Sequence, residues 1–128
     1  MIAYTTVGSN DIERADSFYT KFFEPMKAGK VFDIERFRSW GQGPDRAMFA
    51  VCIPFDGEQA TPGNGIMVTL ACRDSEQVES QHALALELGG TDEGAPGVRG
   101  GRFFMAYFRD LDGNKIALFA PASVEAAT

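Results

Sequence analysis

Apolar residues recur at helical spacing between Ile12 and Phe23, with the charged residues of this stretch mostly on the other side. This spacing is typical of an amphipathic helix that buries one face. Asn10, with Glu13 three residues later, resembles a capping box and predicts where the helix begins. Pro25 predicts where it ends, because proline cannot continue a helix.

Short apolar runs surround this helix and predict β-strands. The strands expected in the first half of the chain are Ile2–Val7, Met26–Asp33, Glu35–Trp40 and Ala47–Pro54. Residues 55–64 hold two Gly and one Pro among polar residues, which indicates a linker. The first half is therefore predicted as strand, helix and three further strands.

The second half repeats this order of elements. Its predicted elements are a strand at Ile66–Ala71, a helix from Asp74 to Gly89-Gly90, a loop or short strand at Thr91–Gly101, and strands at Phe103–Arg109 and Lys115–Phe119. The last two strands are joined by Asp112-Gly113-Asn114, whose residue types favour a tight turn. Shifting the chain by about 63 positions places Tyr4 on Met67 and Asp11 on Asp74.

Each half would expose an apolar sheet face that it cannot bury alone. We therefore predict an α+β fold of two βαβββ modules, which form a curved mixed sheet with outer helices and an inner cleft. The modules could pair within one chain or between chains. The expected boundaries are a single domain at 1–128, with module one at about 1–56, module two at about 64–120 and a tail at 121–128.

The charge of the chain excludes some classes of partner. A formal net charge of −6 without any run of basic residues is unlike a nucleic-acid-binding protein. No window approaches 18 apolar residues, so we expect no membrane span. The start of the chain lacks the pattern of a signal peptide, and Cys52 and Cys72 are expected as reduced, buried thiols. We therefore expect a cytoplasmic protein.

Three motifs carry a family resemblance. Asp110-Leu111-Asp112-Gly113-Asn114 resembles the D-P-D-G-N hairpin of the glyoxalase/bleomycin resistance/extradiol dioxygenase family, the vicinal oxygen chelate superfamily. The stretch from Ser9 to Tyr19 is similar to the first helix of that family. Leu88-Gly89-Gly90, with Gly94-Ala95-Pro96-Gly97, resembles the end of its second helix and the following loop. The resemblance covers about residues 2–120.

The resemblance implies paired modules, a homodimer and, in the enzymes of the family, a divalent metal that polarises vicinal oxygens of a substrate. Three of the implied ligand positions align with Tyr4, Met67 and Ala117. The strand that would supply the fourth, Ala47 to Ile53, contains no His, Asp or Glu. Thioether and methyl groups cannot replace imidazole and carboxylate on a divalent metal, so we expect no metal and no cofactor.

A cleft that recognises an organic molecule is the functional interpretation of these substitutions. Met67 would supply adaptable contact, and Tyr4 a ring and a hydroxyl donor. The expected lining residues are Tyr4, Met67, Ala117, Trp40, Phe49, Phe104 and Arg102. Arg99 or Arg102 could orient an anionic ligand at the mouth of the cleft. The alternative is that these side chains are ordinary core packing, and His82, the single histidine, is expected as a packed or surface helical residue.

The leading functional prediction is therefore a glyoxalase-like protein without the metal ligands of its family, which binds a small aromatic or planar molecule. One alternative is a lyase, isomerase or dioxygenase of the glyoxalase type, either with a metal held by other ligands or without metal. A second alternative is a structural or subunit role, with the cleft filled by its own side chains.

Overall fold

The computed structural model describes residues 1–122, and the chain divides into two compact units. The first unit contains Met1–Asn64 together with Leu111–Asn114. The second contains Gly65–Asp110 and the strand that begins at Lys115. Most of the expected tail, residues 123–128, lies outside the described part of the chain.

The first unit is a four-stranded mixed sheet with one long helix. Its elements are β1 (Tyr4–Gly8), α1 (Ile12–Phe23), a 3₁₀ turn (Glu24–Met26), β2 (Gly29–Ile34), β3 (Phe37–Gly41) and β4 (Met48–Cys52). The strand order is β1-β4-β3-β2. Strands β1 and β4 are parallel, and the other pairs are antiparallel. The predicted order of elements is confirmed for this half.

Helix α1 begins one residue later than the sequence predicted. Asp11, and not Asn10, is the N-cap, since its side chain accepts a hydrogen bond from the backbone N–H of Arg14 at 3.1 Å. The Asn10 side chain is used elsewhere. It exchanges hydrogen bonds with the backbone of Ala60, donating to the carbonyl at 3.1 Å and accepting from the N–H at 2.7 Å. Asn10 therefore fixes the segment that follows β4 instead of capping the helix.

The core of the first unit is aromatic. Trp40 of β3 and Phe49 of β4 pack against the ring of Tyr19, with centroids 5.6 and 4.7 Å away. Phe23 contacts the same two rings, and Phe22 has no exposed surface. The indole N–H of the fully buried Trp40 is satisfied by the Thr20 hydroxyl at 3.1 Å. This side of the sheet, between the strands and α1, is the hydrophobic interior of the unit.

A charged network joins α1 to the neighbouring strands. Arg38 donates to Asp16 and to Glu13, each at 2.7 Å, and Lys30 also donates to Asp16. Burial acts to raise the pKa of Asp16, but the hydrogen bonds from Lys30, Arg38 and Thr20 outweigh it and hold that pKa below its ordinary value. The same contacts raise the pKa of Arg38. Asp16 is therefore held as a carboxylate between two cations.

The Asp-Gly-Asn turn contributes side chains to the first unit. The Asp112 carboxylate accepts from the backbone N–H of Asn10, and the Asn114 amide donates to the carbonyl of Gly8, both at 2.9 Å. Gly113 has a φ of 86°, which confirms the predicted tight turn. The motif that carries the family resemblance thus holds the end of β1 and the start of α1.

The second unit repeats the topology of the first. Its elements are β5 (Val68–Ala71), α2 (Ser75–Glu87), β6 (Thr91–Arg99), β7 (Phe103–Arg109) and β8 (Lys115–Pro121), in the sheet order β5-β8-β7-β6. The stretch left open as a loop or short strand is a nine-residue strand. Gly100 and Gly101, both at positive φ, form the turn after it, so Gly97–Arg102 is not a free loop. The α+β class with two repeated modules is confirmed.

Helix α2 packs on a smaller and more aliphatic core than α1. Asp74 is its N-cap, as predicted, and accepts from the backbone N–H of Gln77 at 2.9 Å. Val78 and Ala85 have no exposed surface. His82 is 5% exposed and its Nε2 lies 3.1 Å from Asp92 Oδ1, so it is a packed histidine with a carboxylate partner. Neither described helix combines the length and the apolar run needed to cross a bilayer.

Candidate functional site

Each face of the second sheet can be assigned from its pleat. On β7, Ala106 and Phe108 are fully buried and lie on the side of α2, which we call the helix face. The alternate residues Met105 and Tyr107 are only partly buried and lie on the opposite side, which we call the open face. The cross-strand register extends this open face to residues of β5, β6 and β8, namely Thr69, Gly94, Gly97, Arg99, Lys115, Ala117 and Phe119.

Ala117 lies at the centre of this open face. It is paired with Tyr107 on β7 and with Thr69 on β5. Its methyl group has no exposed surface, so it forms the floor between two larger neighbours. Met67, directly before β5, is 43% exposed, and strand alternation places it on the same face as Thr69. Two of the positions implied as metal ligands therefore carry a methyl group and a thioether here.

Tyr107 makes several side-chain contacts on the open face. Its hydroxyl donates to the sulfur of Met105 at 3.5 Å. Arg99 Cζ lies 5.7 Å and Lys115 Nζ 5.3 Å from the centre of its ring, within cation–π range. Gly94 makes room for the ring, because a Cβ there would lie 2.7 Å from Tyr107 Cδ2. The chain thus positions one aromatic ring beside two positive charges.

The two cations differ from a third on the same face. Arg109 donates to the Glu93 carboxylate at 3.1 Å and is neutralised by it. For Arg99 and Lys115, no carboxylate of residues 1–122 lies within salt-bridge distance. The open face of the second sheet therefore carries positive charge without a partner from the described chain.

The first sheet has an open face of a different kind. Tyr4 is 50% exposed, and its ring meets that of Phe37 edge to face at 5.2 Å. Ser39 is fully buried. Its hydroxyl accepts from the backbone N–H of Phe32 at 3.1 Å and donates to the sulfur of Met48 at 3.7 Å. The open face of the first sheet therefore has partly exposed aromatic side chains, whereas its central residue, Ser39, is buried and hydrogen-bonded.

A groove of about 500 Å³ lies at one end of the first sheet. Its lining residues are Ile34, Glu35, Arg36, Phe37, Cys52, Ile53 and Phe55. The Arg36 guanidinium donates to the carbonyl of Ile53 at 3.1 Å and lies 5.3 Å from the centre of the Phe55 ring. Burial raises the pKa of the Cys52 thiol, so the groove is apolar and contains no activated nucleophile from that side chain.

Four predicted lining residues lie elsewhere. Trp40 and Phe49 are on the helix side of the first sheet, 1% and 3% exposed. Phe104 shares the helix face of the second sheet with Phe108, because the two lie four residues apart on β7. Arg102 is exposed in the turn before β7.

Sequence reasoning did not select Tyr107, Met105 or Lys115 as lining residues. Strand alternation could have found Lys115, which lies two residues from the predicted Ala117, and could have grouped Met105 with Tyr107 on the face opposite Phe104.

The residues at the implied ligand positions do not fit the metal of the family. Met67 offers a thioether, Ala117 no donor, and Tyr4 a phenol. By register, the first-sheet counterpart of Ala117 is Ala50, since Ala50 lies opposite Thr6 and Ser39 as Ala117 lies opposite Thr69 and Tyr107. Within residues 1–122, no group of three or more His, Cys, Asp or Glu is arranged to hold a metal ion.

Solved structures with the same fold identify the relatives of this chain. A glyoxalase/bleomycin resistance protein from Albidiferax ferrireducens is 32% identical, with 93% of this chain and 97% of that chain covered and a TM-score of 0.85. No protein-family model matches the sequence, and no curated protein matches it.

More distant structures share the fold alone. A glyoxalase/bleomycin resistance protein/dioxygenase family enzyme from Burkholderia phytofirmans is 17% identical, with 91% and 95% of the two chains covered and a TM-score of 0.74. A lactoylglutathione lyase from Agrobacterium tumefaciens is 19% identical, with 93% and 92% covered and a TM-score of 0.69. The Albidiferax ferrireducens protein resembles this chain in both sequence and fold over nearly the full length of both chains. This chain therefore belongs to the glyoxalase/bleomycin resistance/dioxygenase superfamily.

Proposed function

We propose that this protein binds a small planar or aromatic organic molecule without the metal of its family, on the open face of the second sheet. The observation that carries the proposal is the arrangement around Ala117. A partly exposed tyrosine ring and two thioethers, those of Met67 and Met105, belong to the face where the family would present metal ligands.

The chemistry of this face suits a flat, apolar ligand. Aromatic rings stack on or against one another with centroids about 4.5–7 Å apart, and such pairs contribute about 0.5–1.5 kcal/mol beyond burial. Methionine adapts its shape to the bound surface and contacts rings favourably through sulfur. Ala117 is itself fully buried, so the surface that a flat molecule can touch is formed by its larger, partly exposed neighbours such as Tyr107 and Met105.

Tyr4, with the adjoining Phe37, is the corresponding aromatic element of the first sheet and stays a separate prediction, whereas Met67 and Ala117 belong to the proposed surface of the second sheet. Trp40, Phe49 and Phe104 are not included, because they pack on the helix sides of their sheets. The homodimer implied by the resemblance stays a prediction, which sedimentation velocity would test.

A thermal-shift panel of planar heteroaromatic and aromatic compounds tests the proposal. A ligand that binds only the folded state stabilises it by RT ln(1 + [L]/Kd), about 2.7 kcal/mol at a concentration one hundred times Kd. We expect hits whose effect disappears in Tyr107→Ala and persists in Arg46→Gln, an exposed substitution in the other unit.

Methionine methyl NMR localises the hits. The chain has five methionines, and the resonances of Met67 and Met105 should move while those of Met1 and Met26 stay unchanged. A panel without hits would contradict the proposal. So would stoichiometric metal that co-purifies from supplemented medium and whose removal by chelator abolishes ligand binding.

A further inference from the structure

Two cations on the open face of the second sheet form no ion pair with the described part of the chain. Arg99 and Lys115 lie without carboxylate partners among residues 1–122, although the whole chain has a net charge of −6. In so acidic a protein, carboxylates are plentiful, and Arg109 on the same face has one in Glu93. The open face therefore keeps two cations unneutralised.

Both cations are held near the ring of Tyr107. Arg99 Cζ is 5.7 Å and Lys115 Nζ 5.3 Å from its centre. One end of the guanidinium is fixed, since Arg99 Nη2 donates to the carbonyl of Ala95 at 2.6 Å. Gly97 leaves space for the other end of the guanidinium, because a Cβ on residue 97 would lie 2.8 Å from Arg99 Nη1. These contacts preorganise the guanidinium while leaving it further N–H donors.

We propose that the ligand of this face is an aromatic carboxylate, with its ring against the partly exposed Tyr107 and Met105 and its carboxylate at Arg99 or Lys115. This inference rests on the function proposed above and adds the charge and the functional group of the ligand. The planar guanidinium matches the two oxygens of a carboxylate, and the lysine ammonium adds a second charge-assisted donor. Tyr107 links the two parts, since both cations lie beside its ring.

Matched acid and amide probes test the charge separately from the ring. 2-Naphthoate and 2-naphthamide share size and shape and differ in charge, and benzoate with benzamide forms a smaller pair. We expect each acid to bind about tenfold more tightly than its amide, with an advantage that shrinks as salt is raised from low to high concentration. Calorimetry or Met67 and Met105 methyl shifts measure both affinities in the intact chain.

The variants Arg99→Gln and Lys115→Gln identify the groups that recognise the carboxylate. Each should lower the affinity for the acid about fivefold to tenfold and leave the affinity for the amide within twofold. Arg46→Gln, which removes the same charge from an exposed loop of the first unit, should change neither. Far-ultraviolet circular dichroism and the midpoint of thermal unfolding establish that all three variants are folded.

The outcomes separate this inference from the proposed function. Equal affinity for acid and amide in the parent protein would overturn the carboxylate inference and leave planar-ligand binding intact. Equal losses for acid and amide in Arg99→Gln and Lys115→Gln would also overturn it, because the cations would then act only by supporting Tyr107. Binding of neither member of either pair, with unmoved Met67 and Met105 resonances, would count against both proposals.

Discussion

The two sheets have the same strand topology but differ in where one large aromatic side chain lies. In the first unit, Trp40 and Phe49 lie beneath α1, where they pack on Tyr19. In the second, Tyr107 lies on the open face beside two cations, while Phe108 and mostly aliphatic residues fill the space beneath α2. Most of the large rings of the first unit pack inside the fold, whereas Tyr107 of the second unit stays partly exposed.

Equivalent positions make the difference specific. Ser39 and Tyr107 both lie opposite a central alanine, Ala50 in the first sheet and Ala117 in the second. Ser39 is buried and bonded to Phe32 and Met48, whereas Tyr107 is partly exposed. A repeated fold can therefore close one open face and keep the other accessible by changes at a few register positions.

The largest expected effect comes from removing the buried indole. Trp40→Ala should lower the free energy of unfolding by about 3–5 kcal/mol, because it leaves a large cavity beneath α1 and removes the hydrogen bond from the indole N–H to the Thr20 hydroxyl. Tyr107→Ala should cost only about 1–2 kcal/mol, since its ring is partly exposed. Urea unfolding monitored by circular dichroism measures both. Equal losses would show that Tyr107 is as structural as Trp40 and would weaken the proposed binding surface.

A glycine substitution tests how tightly the second sheet is built around its tyrosine. Gly94→Ala should destabilise the protein by about 1–3 kcal/mol, because the new methyl group would lie 2.7 Å from Tyr107 Cδ2. Gly29→Ala, on the corresponding edge strand of the first sheet, has nothing within 4 Å and should be neutral or stabilising by about 0.4–1 kcal/mol.

A double-mutant cycle assigns the cause of the Gly94→Ala effect. In a Tyr107→Ala background the penalty should fall below about 0.5 kcal/mol, since the clashing ring is gone. A penalty that survives unchanged in that background would place the cause in the strand itself.

The smallest effect concerns the charged network that joins α1 to β2 and β3 in the first unit. Asp16→Asn should cost about 1–2 kcal/mol at neutral pH, since Arg38 and Lys30 both lose a charged acceptor. Asp33→Asn is the control, because its 59% exposed side chain should contribute less than about 0.5 kcal/mol.

The effect of Asp16 should depend on pH. Its pKa is lower in the folded protein than its ordinary value of 3.8, so the folded state favours the carboxylate. The stabilisation is therefore complete above pH 3.8 and is lost as the pH falls through the lower, folded-state pKa. The stability difference between the parent and Asp16→Asn should shrink in acid. A difference that stays constant down to about pH 2 would contradict this linkage.

The order of elements was predictable because it depends on local signals. Helical spacing found α1, and the Asp112-Gly113-Asn114 turn was recognisable from residues that tolerate positive φ. The start of α1 was misassigned because Asn10 and Asp11 are both good caps in isolation. A contact with Ala60, fifty residues away, decides between them.

The candidate site was predictable only in part. The two-residue period of a strand determines which residues share a face, but it cannot say which face the helix covers. Phe108 lies beneath α2, and Phe104 follows it to that side. The pairing of Arg99 and Lys115 around one ring depends on the register of β6, β7 and β8, which sequence spacing does not specify.

The Asp-Gly-Asn turn limits how this chain can be cut. The first unit is discontinuous in sequence, since Leu111–Asn114 cluster with Met1–Asn64. A fragment expressed only as far as Asn64 would lack the Asp112 acceptor for the Asn10 N–H and the Asn114 donor for the Gly8 carbonyl. Half-length fragments are therefore poor substitutes for the intact chain, and a fragment meant to isolate the first repeat must also supply residues 111–114.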